Sequence, residues 1–222
     1  MKIRLPDIDY TFDCGMDRCC SVVIENQKVF YKTIEDISRQ IDGIDGISVL
    51  SEDNKPLTFA KSAEMHSLFV PFDMNTKSLL TKINARLVQM ALDDKYHMRT
   101  MDLLAQWERY MLDMSIDMVG NVELTKLSVD SLIKAAGVKV DDAYDNLGEQ
   151  LLDYMELVHE YERAKLFILV NVRSYMSDDD MDKFLESVLD RRMQVLILES
   201  MCRDILHFEK RYIIDADLCI IC

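Results

Sequence analysis

Two short runs, KLFILVN (165–171) and QVLILE (194–199), are apolar at every interior position. A strand with one wet face alternates polar and apolar residues, so a strand without such alternation must be buried on both faces. The segment between them, SDDDMDKFLESVLDRRM, reads as a helix. Ser177 and Asp178 are its cap candidates, and its first turn is acidic, where the helix dipole favours negative charge. Strand, helix, strand with both strands apolar throughout is the pattern of a parallel βαβ unit. A further strand, SVVIE (21–25), runs straight into a helix over Gln27–Ile41, whose Val29, Phe30, Ile34, Ile37 and Ile41 recur at helical spacing. The fold class is therefore α/β with a mostly parallel sheet.

The remaining segments fit around that body. KIRLPDIDYTF alternates enough for a short hairpin, with Pro6 restricting its first strand to an edge. DGIDG ends the first helix with glycines suited to a left-handed cap, and ISVLS is another strand closed by the turn EDNKP. From about residue 62 to 137 the pattern turns helical. Leu79, Ile83, Leu87 and Met90 form one stripe, and Leu104, Trp107, Met111, Met114 and Met118 another. These predict a long antiparallel helix pair. A short helix follows, with Ser128 as N-cap and Gly137 beyond its end. LGEQLLDYMELVHEYERA predicts a helix, and RYIIDADLCII a last strand or hairpin. The expected organisation is an α/β head over 1–62 and 140–222, with an inserted long-helix leg over 63–139. With only 6 glycines and 3 prolines, long regular elements should dominate.

In an α/β body the strand-to-helix junction is where a glycine-rich loop grips phosphate. Here it reads Glu25-Asn26-Gln27-Lys28, with no glycine. Ligands of open parallel sheets bind beyond the carboxyl ends of the strands, and Glu25, Asn171 and Glu199 end the predicted strands. Brought together, they would chelate a divalent ion or act as acid and base. Otherwise they cap neighbouring helix N-termini or pair with Lys28, Arg173 or Arg203, the favoured reading, since the positioned cationic or amide donors that phosphoanhydride hydrolysis needs are not evident. The four histidines are scattered, and no G-x-S-x-G or H-E-x-x-H motif occurs. Cys14, Cys19, Cys20, Cys219 and Cys222 match no zinc spacing, and adjacent Cys19 and Cys20 point to opposite sides of a strand. MKIRLPDIDY contains no apolar leader, and no run is long enough to span a bilayer, so a cytoplasmic location with reduced thiols is expected. The formal charge of −14 excludes indiscriminate nucleic-acid binding unless the basic residues are gathered on one surface.

SLIKAAGVKV, the long helix after it, KLFILVNVRSYMSDDDMDKFLESV, QVLILES and RYIIDADLCII resemble the CRISPR-associated DNA-end-binding ring proteins of type II-A systems, as does the N-terminal SVVIENQKVFYKTI. The resemblance implies a nucleotide-binding-type α/β head without the phosphate loop and without chemistry, and a helical leg. It also implies a homotetrameric ring that encloses double-stranded DNA at free ends, is stabilised by calcium, and works with the spacer integrase and the RNA-guided nuclease.

Under that reading Lys77, Lys82, Arg86, Lys95, Arg99, Lys126, Lys134 and Lys139 are the candidate phosphate contacts, with Lys82 and Arg86 one helical turn apart. No aromatics interleave with them, which favours duplex over single strands. For calcium the resemblance points to carboxylates near the leg–head junction. Asp113, Asp117 and Glu123 are the candidates here, beside a small insertion around Val119–Val122, and a solvated helix face explains them equally well. The competing function is a P-loop-like ATPase or nucleotidyl enzyme with a nonstandard site at Glu25, Asn171 and Glu199. A third reading is a protein-binding scaffold built on the Met-rich leg seam.

Overall fold

The computed structural model describes residues 1–120, 123 and 125–221. Its contacts divide the chain into one unit of Met1–Phe72 with Asp142–Cys222 and a second of Asp73–Asp141. The first unit begins with β1 (Lys2–Arg4), β2 (Thr11–Asp13), β3 (Cys19–Ile24) and α1 (Gln27–Ile41). It continues with β4 (Val49–Glu52), β5 (Lys55–Leu57), α2 (Phe59–Ser62) and β6 (Ala63–His66). The second unit holds α3 (Lys77–Leu92), α4 (His97–Ile116) and α5 (Val129–Ala136). The chain then returns to the first unit with α6 (Leu147–Glu162), β7 (Leu166–Val170), α7 (Asp178–Asp190), β8 (Gln194–Glu199), β9 (Glu209–Ile214) and β10 (Ile220–Ile221).

The main sheet has six strands in the order β10-β9-β3-β8-β7-β6, all parallel except the edge strand β10. Every residue of β3, β7 and β8 is buried, as their unbroken apolar runs require. On one face Cys20, Val22, Ile24, Leu196 and Leu198 join a core with Val29 and Ile37 of α1. The same core takes in Ile3, Phe12 and Leu50 of a four-stranded antiparallel sheet ordered β2-β1-β4-β5. On the other face α6 and α7 pack together, and the Cys19 thiol meets the Leu185 carbonyl of α7.

Three expectations change in the folded chain. Pro6 does not place the first strand at an edge: β1 ends at Arg4, before the proline, and pairs with β2 on one side and β4 on the other. The helical unit begins at Asp73 rather than at 63, because Ala63–His66 pairs in parallel with β7 and Glu64 accepts a 2.6 Å bond from Tyr154 of α6. The two apolar stripes do not form a long closed pair either. Only Leu79 of α3 and Leu104 of α4 are buried, and α3 packs more extensively on α5 than on α4. A heptad pattern specifies an apolar stripe, not the partner that covers it.

The helix ends follow local chemistry. Ser128, Asn146 and Ser177 cap α5, α6 and α7, and Gly137 takes the left-handed conformation beyond α5. After α1 the chain turns back through Gly46, where a Cβ would lie 2.5–2.6 Å from the Gln40 and Asp36 side chains. Asp36 fixes this return by accepting bonds from Ile47 N (2.7 Å), Ser48 N (2.8 Å) and Gln40 Nε2 (2.9 Å). Burial alone would raise the Asp36 pKa, but these hydrogen bonds outweigh it and hold the carboxyl below its ordinary value. A depressed carboxyl stabilises the fold above its unfolded pKa, and that contribution is lost as pH falls through the folded value. Asp36→Ala should therefore lower stability by about 2 kcal/mol at pH 7. Urea titrations should show the gap from the parent closing below about pH 4.

Candidate nucleic-acid interface

The anionic character of the chain is unevenly placed. Residues 73–141 carry nine Lys/Arg against ten Asp/Glu, a net of −1, so −13 of the chain's −14 belongs to the α/β unit. Within the helical unit α3 contains Lys77, Lys82 and Arg86 and no acid at all. All three are exposed, and none forms an ion pair among the described residues. Lys77 sits in the first turn, where the helix dipole disfavours a cation by about 0.3–1 kcal/mol. Lys82 and Arg86 share one face, separated by a rise of about 6 Å.

The other sequence candidates are exposed as well, in different settings. Arg99, Lys126 and Lys139 are unpaired among the described residues, and Arg99 borders a groove shared by α3, α4 and α5. Lys95 stands 4.9 Å over the Tyr96 ring, so an aromatic does lie among these cations, against the expectation that none interleaves with them, and Lys134 is bound to Asp130 at 2.8 Å across one turn of α5. Arg109, exposed on α4, was not among the sequence candidates and belongs to the same inventory of cations.

Asp113, Asp117 and Glu123 are all exposed. They do not come together: among the described residues no three His, Cys, Asp or Glu side chains form a group able to hold a metal ion. Asn121 and Val122, within the expected insertion, lie outside the described residues, as does Cys222. Cys14, Cys19 and Cys20 are buried free thiols. Burial, with Cys14 and Glu209 nearby, pushes Cys19 up to about 12, so its thiol stays protonated and is a poor metal ligand.

The β3–α1 junction, where a phosphate loop would sit, is capped by the chain's own side chain. At the β3–α1 junction Asn26 Oδ1 accepts from Lys28 N and Val29 N, both at 3.2 Å, while its Nδ2 donates to the Ala216 carbonyl. The helix donors that would grip an anion are thus taken by the chain's own side chain. The strand-end residues Glu25, Asn171 and Glu199 have separate employments. Glu25 is exposed. Asn171 Oδ1 accepts from Ser200 N (2.9 Å) and Ser200 Oγ (3.0 Å), tying the β7 and β8 ends together. Glu199 is buried and accepts from Arg173 N at 3.1 Å. Burial raises its pKa, against the opposing effect of that bond and of Arg203 and Arg173.

A family model described as CRISPR-associated protein (Cas_Csn2) matches residues 40–218. The chain belongs to the Cas_Csn2 family. It is 25% identical over 194 residues to a CRISPR-associated protein Csn2 of Enterococcus faecalis, an alignment covering 79% of this chain and 84% of that one. It is 22% identical over 221 residues to a CRISPR-associated protein Csn2 of Streptococcus agalactiae, covering 98% and 96%. The second alignment extends over the N-terminal strand and helix that precede the family match.

In this Cas_Csn2 chain sequence reasoning missed the polar centre of the head. Arg173, 2% exposed in its side chain, donates to Asp178 at 2.7 Å and lies 3.6 Å from Glu209. Glu209 in turn receives Arg211 through Nε (2.9 Å) and Nη2 (2.7 Å) and the Leu206 N–H at 3.0 Å. Arg211 also donates to the carbonyls of Arg203 and Asp204, so one ion pair fixes the loop after β8. Burial alone would raise the Glu209 pKa, but its hydrogen bonds from Arg211 and Leu206 N outweigh it and keep the carboxyl below its usual range. The sequence signal was Glu209 and Arg211 two apart, on one face of a strand. Removing the charge would leave two guanidinium groups around a neutral partner. Glu209→Gln should cost about 3–5 kcal/mol, read as a fall in the urea midpoint at unchanged slope.

Proposed function

We propose that this chain is a non-enzymatic protein of CRISPR adaptation that binds free ends of double-stranded DNA. The observation that carries the proposal is α3: an acid-free helix with exposed, unpaired Lys77, Lys82 and Arg86 in a chain of net charge −14. A surface that keeps its cations unpaired while acids crowd the other unit suits contact with a phosphate backbone, without base readout. Arg99, Lys126 and Lys139 supply further exposed cations, and Lys95 and Lys134 become available once released from Tyr96 and Asp130.

The functional unit in this reading is a homotetrameric ring with the duplex in its opening. Exposed Leu103, Trp107, Tyr110, Leu112 and Ile116 on α4 support self-association, since a monomer rarely leaves so much apolar surface in water. Calcium in this reading stabilises the assembled ring rather than the single chain, in which no ligand group forms among the described residues. The head is read as a nucleotide-binding-type body without a phosphate loop. Its proposed partners are the spacer integrase and the RNA-guided nuclease, in the cytoplasm; no helix among the described residues is long and apolar enough to cross a membrane. A nucleotide-hydrolysing site at Glu25, Asn171 and Glu199 finds no support in a junction capped by Asn26.

Mobility shifts with linear and covalently closed DNA test the reading. Linear duplex should be retained and closed circles should not. Lys82→Ala with Arg86→Ala should weaken binding and reduce the slope of log K against log salt by about 2. Equal retention of closed circles, or an unchanged slope in the variant, would overturn it. Sedimentation should give about four times the chain mass with calcium and smaller species after chelation.

A further inference from the structure

The loops after β6, β7 and β8 leave the same edge of the sheet side by side. They are fastened to one another: Phe69 and Tyr175 rings lie 5.3 Å apart, Arg203 donates to Ser174 Oγ at 3.2 Å, and Asn171 holds Ser200. On this fixed base Leu68, Val70, Met201 and Ile205 are 65–67% exposed, and Tyr175 is 46% exposed. Apolar side chains held outward by a hydrogen-bonded scaffold form a ready docking surface rather than a fraying end.

The charge around them is predominantly negative, with Arg203 and, beyond β3, Lys28 as the exposed exceptions. Asp179 and Asp180 follow the β7 loop beside Asp178, which Arg173 already pairs, and Asp204 lies within the β8 loop, while Glu25 and Asp217 stand exposed beyond β3 and β9. Among the described residues of the three loops, Arg203 is the one exposed lysine or arginine. Such a rim repels nucleic acid, nucleotides and anionic lipid alike. A second copy meeting the surface across a two-fold axis would set acid against acid.

We propose that this carboxyl edge docks a basic amphipathic segment of a partner protein, its aliphatic side chains on the loop residues and its lysines or arginines on the aspartates. The patch is assigned independently of the DNA-binding reading, since it lies in the α/β unit and uses none of the cations of α3.

The test uses the full chain and a fluorescein-labelled amphipathic peptide of leucine and lysine, with serine/lysine and leucine/glutamate peptides as controls. The leucine/lysine peptide should bind in a salt-sensitive manner and both controls much more weakly. Met201→Asp with Ile205→Asp should weaken binding about tenfold, and Leu68→Asp with Val70→Asp should do the same from a different loop. These variants make the protein more anionic, so attraction by charge alone predicts tighter binding. Unchanged or tighter binding in both folded variants overturns the proposal. So does a drop in sedimenting mass of both variants without peptide, which would assign the surface to contact between copies. Circular dichroism and melting should match the parent, because all four side chains are exposed.

Discussion

Burying three neighbouring strands on both faces at once is the constraint from which the rest of the molecule follows. β3, β8 and β7 lie side by side with no residue in water, so each face of the sheet needs a complete apolar cover. One cover is assembled from α1 and the small antiparallel sheet, the other from α6 and α7. A fully buried Val, Leu or Ile contributes about 1.5–3 kcal/mol, so even one exposed face would remove most of the driving force for the domain. The cover on the first side comes from the N-terminal segments and that on the second from the C-terminal ones. The helical excursion between them can vary without breaking the sheet, provided that β6 reaches its place beside β7.

A buried sheet must also accommodate its polar strand ends. Arg173, Glu209 and Arg211 meet on the face that carries Cys19 and Ser21, and their value lies in the loop they organise. Taking such charges out of water is costly, and similar apolar packing would serve stability as well or better. What the ion pair adds is position. Arg211 reaches two carbonyls of the segment after β8 while bound to Glu209, which an apolar side chain has no means of doing.

The parts of this architecture legible in the sequence are those set by local physics. The strands without polar positions, the bounds of α1, and the caps at Ser128 and Ser177 follow from periodicity and helix-end chemistry. β6 was hidden because AEMH is short and carries Glu64 and His66, which have meaning only once Tyr154 and the edge of β7 are in place. The interior place of β1 depends on pairing with β4, some 45 residues away, to which no local pattern refers. The candidate cations could be named from the sequence, yet their exposure and lack of partners could not. Asp130 stands one helical turn before Lys134 in the sequence itself, whereas only the fold shows that no acid from elsewhere reaches Lys82 among the described residues.

The two units carry opposite answers to the same electrostatic question. An α/β body usually spends its strand-to-helix junction on an anion, held by free helix donors and glycine backbone. Here Asn26 caps that junction, and acids outnumber the exposed Lys28 and Arg203 at the neighbouring strand ends. The helical unit, at a net of −1, keeps α3 free of acid. At physiological salt a charge is felt over only about 8–10 Å, so the local charge of a surface counts for more than the total of the chain. Under the proposed DNA-binding reading, segregation of charge between units, rather than the sign of the total, reconciles an acidic protein with a polyanionic ligand. It also frees the sheet edge to recognise something of the opposite charge.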